Sequence, residues 1–205
     1  VTGVQTCALP ISGFNNVDLP AAAQFGIKVV RVVAYSPHSV AEHAVALLQA
    51  INRKIHRAYN RTRDANFTLD GLMGFDLNGK TVAVVGTGKI GRVFAKIMLG
   101  FGCEVLGYDV FRSPEFGALG ARYAAAAEIG ERADIISLHC PLTPETKHIV
   151  NAHTLARVKR GALLINTSRG GLIDTEAVIE ALKSGQLGGL ALDVYEQEAD
   201  VFYRD

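Results

Sequence analysis

The sequence predicts an α/β fold, a doubly wound parallel sheet, from three observations. Short β-branched apolar runs alternate with amphipathic helical stretches along most of the chain. One such run, Thr81 to Val85, passes directly into Gly86, Gly88 and Gly91, spaced G-x-G-x-x-G, and then into an Ala/Ile/Met/Leu-rich helix reaching about Leu99. A second run, Cys103 to Asp109, ends on an acid 18 residues after Gly91. Strand, turn, helix, strand and acid in that order make a Rossmann-type dinucleotide-binding unit. Gly86 makes the strand-to-helix turn, Gly88 leaves room for a pyrophosphate, and Gly91 lets the helix pack on the strand. The pyrophosphate belongs at the helix N-terminus, where free N–H groups and the dipole favour anions. Asp109 can accept hydrogen bonds from the adenosine ribose and repels a 2′-phosphate, which favours NAD over NADP. The three glycines alone could be a plain turn; their flanks favour the nucleotide.

The other elements follow in chain order. Asn15 to Tyr35 reads as a loop, a short helix (Leu19 to Gln24) and a β-branched strand (Ile27 to Val33) bounded by Gly26 and Ser36-Pro37. From Ser39 to about Asn60 one long helix is expected, because Val40, Ala44, Leu47, Leu48, Ile51 and Ile55 share a face. Ser36 or Ser39 could cap it, with Pro37 near its first turn. Arg53, Lys54, Arg57, Arg61 and Arg63 crowd its C-terminal end and read as a solvated face complementing the dipole. Ala65 to Asn78 carries three turn signals and reads as a linker. Beyond Asp109 the pattern predicts a helix at Ala124 to Arg132 and a strand at Asp134 to His139. Short helices follow at Glu145 to Ile149 and Ala152 to Val158, then a strand at Ala162 to Asn166, a helix at Asp174 to Lys183 and a strand at Gly188 to Val194.

Composition narrows the function classes. Of 205 residues, 49% are apolar and 20% charged, an ordinary globular balance. A net charge of +1 provides no electrostatic footprint for nucleic acid or an anionic membrane. No apolar run approaches the roughly 20 residues a bilayer span needs. Three cysteines, Cys7, Cys103 and Cys140, without close pairing argue against a disulfide framework or a metal site, so the cytoplasm is the expected compartment. VTGVQTCALPI (residues 1–11) resembles the translation of a sequencing-adapter oligonucleotide, which would place it outside the fold and make Ser12 a junction codon. DVFYRD at the other end carries no helix stop or turn signal, so the chain reads as cut at both ends.

Three more strand ends carry suggestive residues: LHCPLTPET (Leu138 to Thr146), INTSRGG (Ile165 to Gly171) and LDVYEQE (Leu192 to Glu198). Ligands of doubly wound sheets bind outside such carboxyl ends. Together with the glycine-rich turn, SGFNNVDLPAA, VVAYSPHSVAEHA and HRAYNRTRDANFTLDGLMGF, they make Gly13 to Asp205 resemble the D-isomer-specific 2-hydroxyacid dehydrogenases. The nearest branch is the NAD-dependent D-lactate dehydrogenases. The resemblance implies a remnant of a flavodoxin-like substrate domain at 12–36, a long interdomain and dimer helix with linker at 37–75, and an NAD-binding domain at 76–205. It also implies NAD as cofactor, a small 2-keto or 2-hydroxy acid as substrate, and a homodimer, for which Val45, Ala46, Leu47 and Leu48 suggest a surface.

Carried over residue by residue, Arg169 matches the catalytic arginine, whose planar fork can hold a carboxylate while polarising the ketone. Glu198 matches the carboxylate that pairs with the catalytic histidine and keeps its pKa high enough to donate a proton, with Glu196 close enough to be confused with it. Asp193 matches the aspartate beside the nicotinamide, Tyr35 a substrate-side tyrosine, and Gly13 a backbone donor to the substrate carboxylate. For the cofactor the resemblance adds Lys89 and Ile90 at the pyrophosphate turn and Cys140 and Pro141 beside the adenosine. Thr146 falls near the nicotinamide side, and Thr167 and Ser168 lie next to Arg169. The family's proton-transferring histidine belongs to a loop beyond Asp205, and none of His38, His43, His56, His139, His148 and His153 occupies it. The chain as written is therefore expected to be inactive, since losing a general acid slows such a step by roughly 10²–10⁴-fold. Val33 is a second departure, standing where the branch has Pro. The competing readings are a hydroxypyruvate, glyoxylate or phosphoglycerate dehydrogenase of the same family, an NAD-sensing regulator of the corepressor type, and a functionless remnant.

Overall fold

The computed structural model describes residues 7–8, 17–32 and 36–197. It divides into two compact units, Val1–Pro37 and His38–Asp205. In the first, helix α1 (Leu19–Gln24) forms where expected: the Asp18 carboxylate accepts from Ala21 N at 2.9 Å, Pro20 sits in the first turn, and Gly26 leaves the helix at φ +65°. The predicted strand after it is shorter. Only Lys28–Val29 (β2) pairs, in parallel with Cys7–Ala8 (β1), while Val30 and Val32 are exposed. Two residues find a partner backbone and the other described residues of the run do not.

The expected long helix is two helices, α2 (Pro37–Arg53) and α3 (Ile55–Arg63), separated by Lys54 at φ +51°. The periodicity runs through the break because it reports only a shared apolar face. The basic residues do more than cover the helix end. Lys54 Nζ donates to Met73 O at 2.9 Å, and the Arg61 guanidinium donates to Thr68 O and Asp70 O, each at 2.8 Å. They pin the turn-rich linker to α3, while Asn52 pairs with both the N–H and the carbonyl of Phe75.

Six parallel strands form the sheet of the second unit: β3 (Thr81–Val85), β4 (Glu104–Tyr108), β5 (Arg122–Tyr123), β6 (Ile135–Leu138), β7 (Ala162–Asn166) and β8 (Leu187–Leu192), in the order β5-β4-β3-β6-β7-β8. The order reverses direction between β3 and β6, the switch point of a doubly wound sheet. Helices α4 (Lys89–Gly100), α6 (Ala126–Arg132) and α8 (Thr175–Lys183) match expectation within two residues. Two elements escape the sequence pattern, α5 (Pro114–Ala118) and β5, because stretches of five and two residues are too short to show a period. Glu145 to Ile149 is turn rather than helix, with His148 at φ +52°, and the next helix, α7, is only Ala152–Leu155, opened by an Asn151/Thr154 capping box.

Apolar layers cover both sheet faces. Ala41, Ala44 and Leu48 of α2 and Phe94 and Met98 of α4 pack on Val82, Val84, Ile135 and Ile165. Ile129, Leu155, Leu172 and Val178 pack on Ala83, Leu106, Ile136 and Leu164. Leu48 is fully buried and Val45 and Leu47 lean on the same core, so the apolar run at the centre of α2 is engaged within its own unit. The exposed large apolar side chains nearby are Ile55, Tyr59, Phe67, Leu69 and Met73. Among the described residues no helix is long and apolar enough to cross a membrane.

Candidate functional site

Register aligns the strand ends. Val85 pairs with Tyr108 on one side and Leu138 on the other, Leu138 with Asn166, and Asn166 with Leu192. The next residue on each strand therefore falls into one row along the carboxyl edge: Asp109, Gly86, His139, Thr167 and Asp193. Four inter-strand steps of about 4.8 Å make that row roughly 19 Å long. Five parallel strands thus bring the separate sequence motifs to one edge.

Gly86 and Gly91 each have a measurable steric reason. Gly86 sits at φ +96°, and a Cβ there would lie 2.5 Å from Cys140 N, so any side chain would push β3 from β6. A Cβ on Gly91 would collide with Gly86 O, whereas one on Gly88 would meet nothing within 4 Å. Gly88 precedes α4, whose first turn has no side-chain cap, leaving N–H donors over open space. Lys89 is exposed beside them, and Ile90 packs its side chain on the core.

Asp109 has a second task that sequence reasoning missed. Its Oδ2 accepts from Thr87 N at 2.7 Å and Thr87 Oγ1 at 3.1 Å, and its Oδ1 accepts from Phe111 N at 2.9 Å. Thr87 Oγ1 also meets Tyr123 OH at 2.8 Å. The acid closing β4 therefore locks the glycine-rich turn, and Oδ1 keeps acceptor capacity for a further donor.

On the other side of the switch point, Ser168 Oγ donates to Cys140 O at 2.6 Å, tying β7 to β6. Burial pushes the Cys140 thiol up to about 11, which removes it as a thiolate nucleophile at neutral pH. Thr146 Oγ1 donates to Pro141 O at 2.7 Å and accepts from Thr143 N, shaping the Pro141–Thr146 turn. His139 packs its ring against Phe94 at 4.9 Å and meets Ser137 Oγ at 2.9 Å; burial pushes its imidazole down to about 4. Neutral at physiological pH, it is a strand-end residue and not a proton donor.

Asn166, also missed, organises the turn carrying Arg169. Fully buried, it donates from Nδ2 to Arg169 O at 2.8 Å and accepts at Oδ1 from Ser168 N at 3.0 Å, while its carbonyl accepts from Asp193 N at 3.1 Å. An Asn at a strand end followed by Thr-Ser is the signal for such an Asx turn. The Arg169 guanidinium donates to Ser168 O at 2.7 Å and makes no ion pair among the described residues. Asp193 Oδ1 faces His43 Nε2 at 3.5 Å. Glu196 is committed elsewhere: His148 Nε2 lies 2.5 Å from Oε1, and Thr175 donates its N–H and hydroxyl to Oε2 at 3.1 and 2.6 Å. Those bonds from Thr175, followed by that of His148, hold the Glu196 carboxyl below its ordinary range despite partial burial. Gly13, Tyr35, Val33 and Glu198 lie outside the described residues.

Residues 45–201 match the family model described as D-isomer specific 2-hydroxyacid dehydrogenase, NAD binding domain. The chain belongs to this family. It is 52% identical over 203 residues to the D-lactate dehydrogenase of Escherichia coli, covering 99% of this chain and 62% of that protein. The apo-structure of D-lactate dehydrogenase from Escherichia coli superposes with a TM-score of 0.89 at 52% identity, over 93% of this chain and 60% of the other. The pyruvate reductase of Chlamydomonas reinhardtii superposes with a TM-score of 0.93 at 48% identity, over 98% and 60%. The chain thus spans about three fifths of the length of these relatives.

A 2-hydroxyacid dehydrogenase NAD-binding domain takes NAD as its cofactor, and the residues present fit it. Gly88 and the uncapped start of α4 leave open space beside unpaired N–H donors, the setting a pyrophosphate needs at a helix N-terminus. Asp109 retains an acceptor position. Thr167, 9% exposed, has a buried Oγ1 without a hydrogen-bond partner among the described residues, one donor-acceptor left over beside Asp193 in the row.

Proposed function

We propose that the protein from which this chain comes reduces a small 2-keto acid, pyruvate first among them, to the D-2-hydroxy acid. The observation carrying this reading is the Arg169 turn. A guanidinium without a carboxylate partner among the described residues stands at the carboxyl end of β7, on the same edge as the nucleotide cradle and one strand from Asp193. An arginine so placed can bind the substrate carboxylate through its fork and draw charge from the ketone oxygen. NADH, when bound, supplies the hydride. Glu198 pairs with a histidine on a loop beyond Asp205 and sustains its protonated form; Tyr35 and Gly13 meet the substrate from the preceding domain. For the cofactor, Gly86, Gly88, Lys89, Ile90 and Gly91 hold the pyrophosphate, with Lys89 as a flanking charge and Ile90 through its backbone. Asp109, Cys140 and Pro141 flank the adenosine, and Thr146, Thr167, Ser168 and Asp193 the nicotinamide side. In the full-length protein a homodimer would use the apolar surface at Ile55, Tyr59, Phe67, Leu69 and Met73.

The test has two arms. NADH fluorescence titration of this chain should show binding without pyruvate turnover. The full-length protein should oxidise NADH with pyruvate faster than with hydroxypyruvate or phosphohydroxypyruvate, and Arg169→Lys should lower kcat/KM by at least about tenfold, since an ammonium cannot reproduce the fork. Absence of 2-keto acid reduction by the full-length protein would refute the proposal and favour an NAD-sensing regulator.

A further inference from the structure

The hydroxyl of Tyr123 stands where two loops of the nucleotide edge meet. Tyr123 belongs to β5, opposite Gly107 of β4, and its oxygen lies 2.8 Å from Thr87 Oγ1 and accepts from Ser113 N at 2.7 Å. The protons in this chain of bonds can be placed by elimination. A carboxylate only accepts, so the Thr87 hydroxyl spends its single proton on Asp109 Oδ2 at 3.1 Å. Thr87 Oγ1 then accepts from the Tyr123 hydroxyl, whose alternative acceptor, Ser113 O, is farther off at 3.4 Å. The bonds therefore run one way, from Ser113 N–H through Tyr123 and Thr87 to the Asp109 carboxylate, an order in which each bond polarises the next. Thr87 is 1% exposed, and it fits because β4 has a glycine beside it. A Cβ on Gly107 would lie 3.0 Å from Thr87 Cγ2 and 2.4 Å from the Phe116 ring. The Tyr123 ring is itself seated, 5.1 Å from that of Phe116 and with the Arg112 guanidinium 5.4 Å from its centre.

We propose that Tyr123 is a positioning residue that decides which nucleotide the site takes: through Thr87 it holds the Asp109 carboxylate in place, so that NAD is accepted and a 2′-phosphate rejected. This rests on the reading of Asp109 as the partner of the adenosine ribose. An acid there discriminates only while it stays there, because a side chain free to change rotamer gives up the ribose bond and its repulsion together. Asp109 lacks that freedom. Its Oδ2 takes two bonds from Thr87 and its Oδ1 one from Phe111 N, which leaves one acceptor direction, on Oδ1, for a ribose hydroxyl. The competing role is structural: the same bonds tie β5 to the turn after β3 and would steady the sheet edge with no effect on nucleotide choice. Stability cannot tell the two roles apart; the ratio of NADPH to NADH affinity can.

The experiment titrates the full-length protein with NADH and with NADPH, followed by nucleotide fluorescence, and compares Tyr123→Phe, Thr87→Val, Thr87→Ser and Asp109→Ala. Phe keeps the ring beside Phe116 and Arg112 and removes only the hydroxyl. Tyr123→Phe is expected to raise the Kd for NADH about threefold to tenfold, the worth of one hydrogen bond, and to leave that for NADPH the same or lower. The preference for NADH falls accordingly. Thr87→Val should act alike, and Thr87→Ser, which restores the hydroxyl, should stay within about twofold of the parent. Without nucleotide, amide hydrogen exchange at Thr87 and Phe111 should quicken in Tyr123→Phe and Thr87→Val, a readout independent of turnover. In an Asp109→Ala background, Tyr123→Phe should change neither affinity further. Equal loss of NADH and NADPH affinity, or no loss of either, would overturn the proposal and leave Tyr123 a support of the sheet edge. If Asp109→Ala itself keeps the parent's preference for NADH, the reading of Asp109 is what fails, and the proposal falls with it. Should Tyr123→Phe not fold, as seen by circular dichroism, Thr87→Val carries the same test.

Discussion

His139 makes the stability of this domain depend on pH between 7 and 5, a window in which few other groups of the site change. Its ring lies between Phe94 and the end of β6, with Nε2 on Ser137 Oγ, and burial pushes its imidazole from 6.5 down to about 4. The unfolded chain therefore binds a proton below pH 6.5 that the folded chain refuses until about pH 4. Stability is complete above 6.5 and falls as the pH drops through this window. With those two values the difference at pH 5 comes to about 2 kcal/mol, and at pH 7 to a small fraction of that. For a domain of this size that is on the order of a 1 M shift in urea midpoint. The carboxyls held low, Glu196, Glu128 and Asp134, start from ordinary values of 4.5, 4.5 and 3.8, so their contributions are lost at more acid pH. The assay is urea unfolding of this chain at pH 7 and pH 5, followed by circular dichroism, for the parent and His139→Gln, which can keep a hydrogen bond to Ser137 without titrating. The parent should lose about 2 kcal/mol between the two conditions and the variant most of that less. An equal loss in both would refute the argument, because the proton uptake would then lie elsewhere.

Three further outcomes follow from the same edge of the sheet. Gly88→Ala should leave the urea midpoint near the parent's but weaken NADH binding about tenfold or more, because its Cβ enters only the open cradle, whereas Gly91→Ala should destabilise by about 1–3 kcal/mol through its collision with Gly86 O. Asn166→Ala strands Ser168 N and Arg169 O in a half-buried turn and should lower stability by about 1–3 kcal/mol, read by urea midpoint; a change under about 0.5 kcal/mol would show that the Asx turn is dispensable. Asp109→Ala should weaken NADH binding and also free the turn at Thr87, so amide exchange at Thr87 should quicken even without nucleotide; unchanged exchange would mean that Asp109 serves the ligand alone.

Much of the fold was legible because its signals are local. The core strands β3 and β7 fall at the expected residues, since a run of β-branched and apolar side chains between turns has few alternatives. The roles of Gly86 and Gly91 were legible too, because each answers a steric demand of one turn. What failed to show were events without a period. A single αL residue at Lys54 divided a helix whose apolar face is continuous, a two-residue strand closed the sheet edge at Arg122–Tyr123, and His148 at positive φ turned an expected helix into a hinge for Glu196.

The site divides in the same way. The amino-acid sequence by itself showed the nucleotide turn and the acid that follows it, since residue type and spacing suffice to name them, while the role proposed for the arginine in its Asn-Thr-Ser-Arg-Gly-Gly setting came with the family resemblance. Only the tertiary structure decided what holds those groups in place. Register put Asp109, Gly86, His139, Thr167 and Asp193 on one row; Asn166 was found to shape the arginine turn; Asp109 was found to lock the turn it follows; and Glu196 was found bound to His148 and Thr175. The bonds of Asp109 and Glu196 join residues 21 to 48 positions apart, brought together only when the sheet assembles. No local pattern carries their partners, so the chemistry could be read from the chain and its support could not.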